Sequence, residues 1–166
     1  MASIINAETP AEGQRMTWAE VSKIHKIRNG IYHRNGLLIS LLTDFGRINP
    51  CYPDHHGEGG DTILYTGSGR RGDQKLNAAN RAMLDAIDSC NIVPLFNKLS
   101  IGVWEFTGLW LVTEGKFVFD ESRNRMIWNF TLRPATALIT DPHDFRFPNT
   151  KRDPLNHFVA LTNLKV

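Results

Sequence analysis

The stretch from Asp61 to Met83 constrains this chain more than any other. It runs Asp61-Thr62-Ile63-Leu64-Tyr65-Thr66-Gly67-Ser68-Gly69-Arg70-Arg71-Gly72-Asp73-Gln74-Lys75-Leu76 and continues Asn77-Ala78-Ala79-Asn80-Arg81-Ala82-Met83. The β-branched and aromatic run predicts a short strand, the glycines a turn, and the apolar spacing beyond them a helix. Gly67, Gly69 and Gly72 tolerate positive φ and carry no Cβ, so the backbone there can come very close to a ligand. Arg70 and Arg71 add positive charge, and Tyr65 offers a flat face just before the turn. Aromatic face, bare backbone and cations together suit a nucleotide; by spacing alone, an ordinary strand-to-helix connection reads the same way.

At 166 residues, 42% apolar and 22% charged, the chain has the make-up of one globular domain. A chain of that length buries about two-thirds of its unfolded surface. We place a flexible segment at residues 1–15 and a single domain at 16–166. The net charge of +2 is too small to announce a nucleic-acid binder, so that case rests on where the cations sit. Arg15, Lys23, Lys26, Arg28 and Arg34 form one group and Arg70, Arg71, Lys75 and Arg81 another; solvated faces explain such groups as well as phosphate contacts do. Cys51 and Cys90 form no CxxC, which predicts reduced thiols in a bacterial cytoplasm or a nucleus. No basic-then-apolar leader and no long apolar run is present, so neither a signal peptide nor a membrane span is expected.

Thr17 and Glu20 make a capping box for a helix with Trp18, Val21, Ile24 and Ile27 on one face. Leu37 to Leu42 is apolar on both parities and predicts a buried strand. Residues 43–61 read as a long irregular loop, of the kind that is usually functional. A helix is expected over Lys75 to Asp88, with Asp73 as its cap and Leu76, Ala79, Met83, Ala86 and Ile87 as its core stripe. Asn91 to Ser100 reads as a connection. Strands are expected at Ile101–Phe106, continued by Leu109–Val112 across a bulge, then at Lys116–Phe119 and Arg125–Leu132, the last two joined by a tight hairpin tip. In the tail, 141–148 reads as a loop and 155–161 as a short helix.

Tyr-Thr-Gly-Ser-Gly at 65–69, Asp-Gln-Lys-Leu at 73–76 and Asn-Arg-Ala at 80–82 closely resemble the signature of the SRA (SET- and RING-associated, or YDG) domain. Phe106-Thr107-Gly108 resembles that family's Tyr-Asp-Gly motif, and Ile127 to Arg133 its closing strand, so the resemblance covers about residues 30–133. It implies an α+β fold, a PUA-like crescent-shaped β-barrel with flanking helices. It also implies binding of duplex DNA with 5-methyl- or 5-hydroxymethylcytosine rotated out into an aromatic pocket. Tyr65 falls on one of the two sandwiching tyrosines, and Thr66, Gly67 and Ser68 on the turn whose backbone and side chains contact the base. Tyr52 is the choice for the other tyrosine. Asp54 or His55 stands in the place of the acid that reads the exocyclic amine, Asp54 by its chemistry and His55 by its spacing. Arg34, Asn35, Gly69, Arg70, Arg71 and Lys75 are the expected contacts to the DNA backbone and groove.

The expected role is therefore a non-catalytic reader without cofactor or metal, free-standing or serving a nuclease domain or subunit of a modification-dependent restriction system. Three other readings stand beside this one. A metal-dependent nuclease would use His55, His56, Glu58 and Asp61, although adjacent histidines on a loop rarely both ligate. An RNA-binding module would use the same PUA-like barrel. A purely structural domain would leave Tyr52 and Tyr65 in the core.

Overall fold

The computed structural model describes residues 9–135. The tail loop and helix expected at 141–148 and 155–161 lie outside them. Eight strands and two helices follow one another as β1 (Arg15–Met16), α1 (Trp18–Val21), β2 (Ile31–Arg34), β3 (Leu37–Thr43), β4 (His55–His56), β5 (Ile63–Thr66), α2 (Ala78–Ser89), β6 (Ile92–Ser100), β7 (Val103–Asp120) and β8 (Arg125–Pro134). They build one mixed sheet in the order β2-β3-β6-β7-β8-β5-β4, with β1 on the edge of β7. Among the described strands only β3 and β6 are parallel; Leu41, Leu42 and Thr43 face Leu95, Phe96 and Asn97 across that pair.

The sheet rolls into a crescent. β3 and β5 are separated by three strands in the sheet order, yet the Tyr65 hydroxyl on β5 donates to the Leu42 carbonyl on β3 at 2.8 Å. Inside the curl, Met83 and Ala86 of α2 pack on Leu38, Leu41, Ile63, Val93, Leu95, Phe130 and Leu132. The second core lies on the other face, where Val21, Leu42, Phe96, Trp104 and Phe106 meet. Each such side chain contributes about 1.5–3 kcal/mol on burial, so the strands that position the loops are firmly held.

Several local expectations shift. The capping box forms as read, Thr17 exchanging hydrogen bonds with Glu20, but α1 is a single turn of four residues. Fully buried His25 explains the break: its ring meets the Ser40 hydroxyl at 2.8 Å and the Asn29 carbonyl at 2.6 Å, drawing 25–29 into a loop. α2 starts at Ala78 with Asn77 as its cap, while the Asp73 carboxylate accepts from the Met126 amide at 2.8 Å instead. Leu76, expected in the core stripe, is exposed.

The stretch read as a connection at 91–100 is β6, a central strand. Its Pro94 is tolerated because the register with β7 shifts between Pro94 and Phe96, opposite the Gly108 bulge where φ is +104°. β7 joins all three expected segments from Val103 onward into 18 residues, while Ile101 and Gly102 form the turn before it. Phe119 pairs with Met126 at the hairpin tip as expected. Within the segment before residue 16, the Gly13 amide donates to the Phe106 carbonyl at 2.8 Å and Arg15 pairs with Glu105. Among the described residues no helix is long and apolar enough to cross a membrane.

Candidate functional site

The turn after β5 is fixed by two buried amides from the residues that follow it. Gln74 donates to the Gly67 and Gly69 carbonyls at 2.7 and 3.1 Å and accepts from the Trp128 amide at 2.8 Å. Asn80, on the first turn of α2, accepts from the Ser68 amide at 2.7 Å and donates to the Ser68 and Lys75 carbonyls at 2.9 and 2.8 Å. Gln74 is 3% and Asn80 0% exposed, so each unmet bond would carry its full desolvation penalty. Glycine at 67 follows directly: a Cβ there would sit 2.6 Å from the Asn80 Oδ1 and 2.7 Å from the Trp128 Cβ.

The long loop between β3 and β4 is equally tied. The Asp44 carboxylate accepts from the Gly46 and Asn49 amides and the Asn49 side chain, and Arg47 reaches the Asn97 side chain and the Lys98 carbonyl of β6. Buried Arg125, at the start of β8, joins this loop to the turn. Its guanidinium donates to the Cys51 carbonyl at 2.7 Å and to the Gly69 carbonyl at 2.8 Å.

Between loop and turn lies a cavity of about 540 Å³, lined by Tyr52, Asp54, Tyr65, Thr66, Gly67, Ser68, Gly69 and Arg70 among others. Tyr65 is 3% exposed, its hydroxyl seated against Gly30, where a Cβ would come within 2.7 Å of it. It is a fixed wall and part of the core. Tyr52 is half-buried and outside both core clusters; burial raises its hydroxyl pKa, against the pull of Arg70, the Gly69 amide and Arg125.

Asp54, 5% exposed, is one of two buried acids that line the cavity, the other being Asp44. Oδ1 accepts from the Thr66 amide and Oδ2 from the Thr43 hydroxyl, both at 2.7 Å. Burial pushes its pKa up to about 7, against the Thr66 amide and the Thr43 and Thr66 hydroxyls, which favour the charged form. A carboxylate has about four lone-pair sites, so these three donors leave one acceptor site for an incoming donor.

Of the residues expected at the base pocket, Tyr52, Asp54, Tyr65, Thr66, Gly67 and Ser68 come together around this cavity. His55 lies outside the cavity, on the exposed β4 edge with Nδ1 3.0 Å from the Pro53 carbonyl, while its neighbour Asp54 is buried. The turn's amides are not available to a base: Thr66 donates to Asp54, Gly67 to the Trp128 carbonyl at 2.8 Å, and Ser68 to Asn80. Arg34, Asn35, Arg71 and Lys75 are exposed and do not line the cavity, whereas Gly69 and Arg70 do. Asn35 occupies the β2–β3 turn with φ +51°. His56 stacks on Phe45 at 4.8 Å between ring centres, and among the described residues no three His, Cys, Asp or Glu side chains are arranged to hold a metal. Gln74, Asn80, Thr43 and Arg125 were missed as positioning residues. Gln74 and Asn80 stand inside the signature string and were the ones a reader of that string could have found.

The model of one protein family, the ScoMcrA-like SRA domain, matches residues 26–157. The chain belongs to this SRA family. Among solved structures, the SRA domain of SUVH5 in complex with hemimethylated CG DNA is 23% identical, with a TM-score of 0.62 over 79% of this chain and 93% of that one. KRYPTONITE in complex with mCHG DNA is 19% identical with a TM-score of 0.60, the match covering 78% of this chain and 34% of that one. The modification-dependent restriction endonuclease TagI is 21% identical with a TM-score of 0.62, and this SRA domain spans 79% of its own length but only 50% of the TagI chain. These likenesses bear out the SRA fold read from the signature. A search of curated proteins gave no match.

Proposed function

We propose that this SRA domain reads a modified cytosine in duplex DNA, taking the extruded base into the cavity between Tyr52 and Tyr65. The observation that carries this reading is Asp54: a buried carboxylate, held by three donors and left with one acceptor site, facing a cavity flanked by an aromatic ring and cations. That spare site suits the exocyclic amine of cytosine, which a thymine lacks. Extraction of a base costs a few kcal/mol in stacking and pairing. Stacking on an aromatic side chain is worth about 1–3 kcal/mol per base, so Tyr52 closing over a base that rests against the Tyr65 wall offsets much of it. The Thr66 and Ser68 side chains line the end assigned to the 5-substituent, where one methyl group is worth only about 1–3 kcal/mol. Selectivity is accordingly modest.

The domain does no chemistry in this scheme; it targets. SUVH5 complexes with fully hydroxymethylated as well as methylated DNA, and the TagI endonuclease, support a reader that delivers a nuclease domain or subunit to modified DNA. The test is fluorescence anisotropy at one fixed salt concentration, using duplexes that differ only in a single cytosine, 5-methylcytosine or 5-hydroxymethylcytosine. A several-fold preference for one modified duplex is expected. Equal binding to all three removes the proposal.

A further inference from the structure

The cavity has a second wall. Trp18 and Trp104 meet at 5.4 Å between ring centres, and each carries a cation: the Arg28 guanidinium lies 4.2 Å from the centre of Trp18 and the Lys98 Nζ 5.8 Å from that of Trp104. All four residues line the cavity. Three elements supply them: α1 gives Trp18, the loop before β2 gives Arg28, and the β6–β7 hairpin gives Lys98 paired with Trp104. Trp18 precedes the residues matched by the family model, whereas Arg28, Lys98 and Trp104 lie within them.

The charges of the cavity are unevenly used. Both of its acids are engaged by the protein, Asp44 by loop amides and Asp54 by the threonines. Among the described residues neither Arg28 nor Lys98 has a carboxylate within ion-pair distance; the side-chain ion pair present there is Lys116–Glu114 at 3.0 Å. A tryptophan face covered by a guanidinium has no room to stack a sugar or a second base, so the wall presents its cations and not its rings. Arg28 lies over the Trp18 ring and makes no hydrogen bond to the described residues, so its planar fork of donors suits a phosphate better than a lysine alone would.

We infer that Arg28 and Lys98, mounted on the Trp18–Trp104 pair, hold a backbone phosphate of the DNA strand whose base enters the cavity. This rests on the base-reading proposal above and adds to it: base recognition belongs to one wall and strand anchoring to the other. The anchor is indifferent to the 5-substituent, so it sets affinity and salt dependence and leaves the ratio between modified and unmodified DNA to the Tyr52–Asp54 side.

The test is a cycle between protein and phosphate. Wild type and an Arg28→Gln/Lys98→Gln double variant are titrated with modified duplexes, each having one neutral methylphosphonate linkage, stepped through the positions around the modified cytosine. Wild type should lose about tenfold at one linkage, and the double variant, already about tenfold weaker on ordinary DNA, should lose little more there. Its plot of log affinity against log salt should be shallower by about one unit. Independent, multiplying losses at every linkage, or an unchanged salt slope, overturn the assignment. A double variant that loses its preference for the modified base while keeping its salt slope also overturns it, because Arg28 and Lys98 then serve the base. If wild type shows no preference at all, the base-reading proposal fails, and the same cycle on unmodified duplex still decides whether these cations hold a phosphate. A double variant that remains fully folded at the titration temperature, its melting temperature lowered by a few degrees at most, and an Arg28→Lys variant that keeps the salt slope exclude a merely structural effect.

Discussion

The two walls of the cavity are built on opposite terms. Along the signature turn, the amides of Thr66, Gly67 and Ser68 and the carbonyls of Gly67, Ser68 and Gly69 all have partners inside the protein. Along the Trp18–Trp104 wall, the cations have aromatic seats and, among the described residues, no carboxylate partners. The first is rigid and keeps a single acceptor site for selection; the second spends nothing internally and keeps charge for attraction. Preorganisation of this kind lowers the ordering cost of binding, and unpaired charge supplies affinity that falls with salt. Specificity and strength can thus be altered separately.

The largest test of that contrast is thermodynamic. Asn80→Ala orphans the Ser68 amide and the Ser68 and Lys75 carbonyls and empties a fully buried site, so it should cost about 4 kcal/mol in a urea titration. Arg28→Gln on the other wall loses an exposed cation–aromatic contact and should cost about 0.5–1 kcal/mol. Similar costs for the two would erase the distinction.

Acid titration sharpens it. Asp54, with a folded pKa of about 7 against an ordinary value of 3.8, binds a proton in the folded chain that the unfolded chain has released, so its contribution makes stability fall as pH rises through that window. His25 does the reverse: burial lowers its pKa from 6.5 to about 4, the unfolded chain takes the proton first, and stability rises with pH between these values. In the native protein the two slopes oppose each other. Asp54→Asn keeps an acceptor for the Thr66 amide and removes the falling slope, so its stability should climb by up to about 3 kcal/mol between pH 4 and 6.5. A native-like pH profile in this variant would mean that the burial of Asp54 does not control its charge.

How much of this was legible in the sequence differs between the walls too. Gly67, Tyr65, Thr66 and Ser68 were readable because their neighbours in sequence carry a specific string and their geometry is local. For the amine-reading acid, chemistry pointed to Asp54 and spacing to His55; burial of Asp54 in the cavity and exposure of His55 on β4 come from the fold and not from the local string. Arg125 was not readable as a positioning residue, because its partners at Cys51 and Gly69 lie 74 and 56 residues away. β6 was hidden for the same reason. Its strand character comes from pairing with β3 and β7, and Pro94, a breaker in isolation, falls where a bulge needs no regular register. The short α1 shows tertiary bonds of His25 overriding a helical period that the sequence carries well past Val21.

The central claim is extrusion of the base into the Tyr52 side of the cavity, and the most direct measurement places 2-aminopurine next to the modified cytosine and follows its fluorescence on binding. Wild type should raise the signal with the modified duplex and leave it low with the unmodified one. Tyr52→Ala should lower both the rise and the affinity, the latter by about 1–3 kcal/mol, at nearly native stability. Tight, modification-selective binding with no rise in fluorescence would contradict the account.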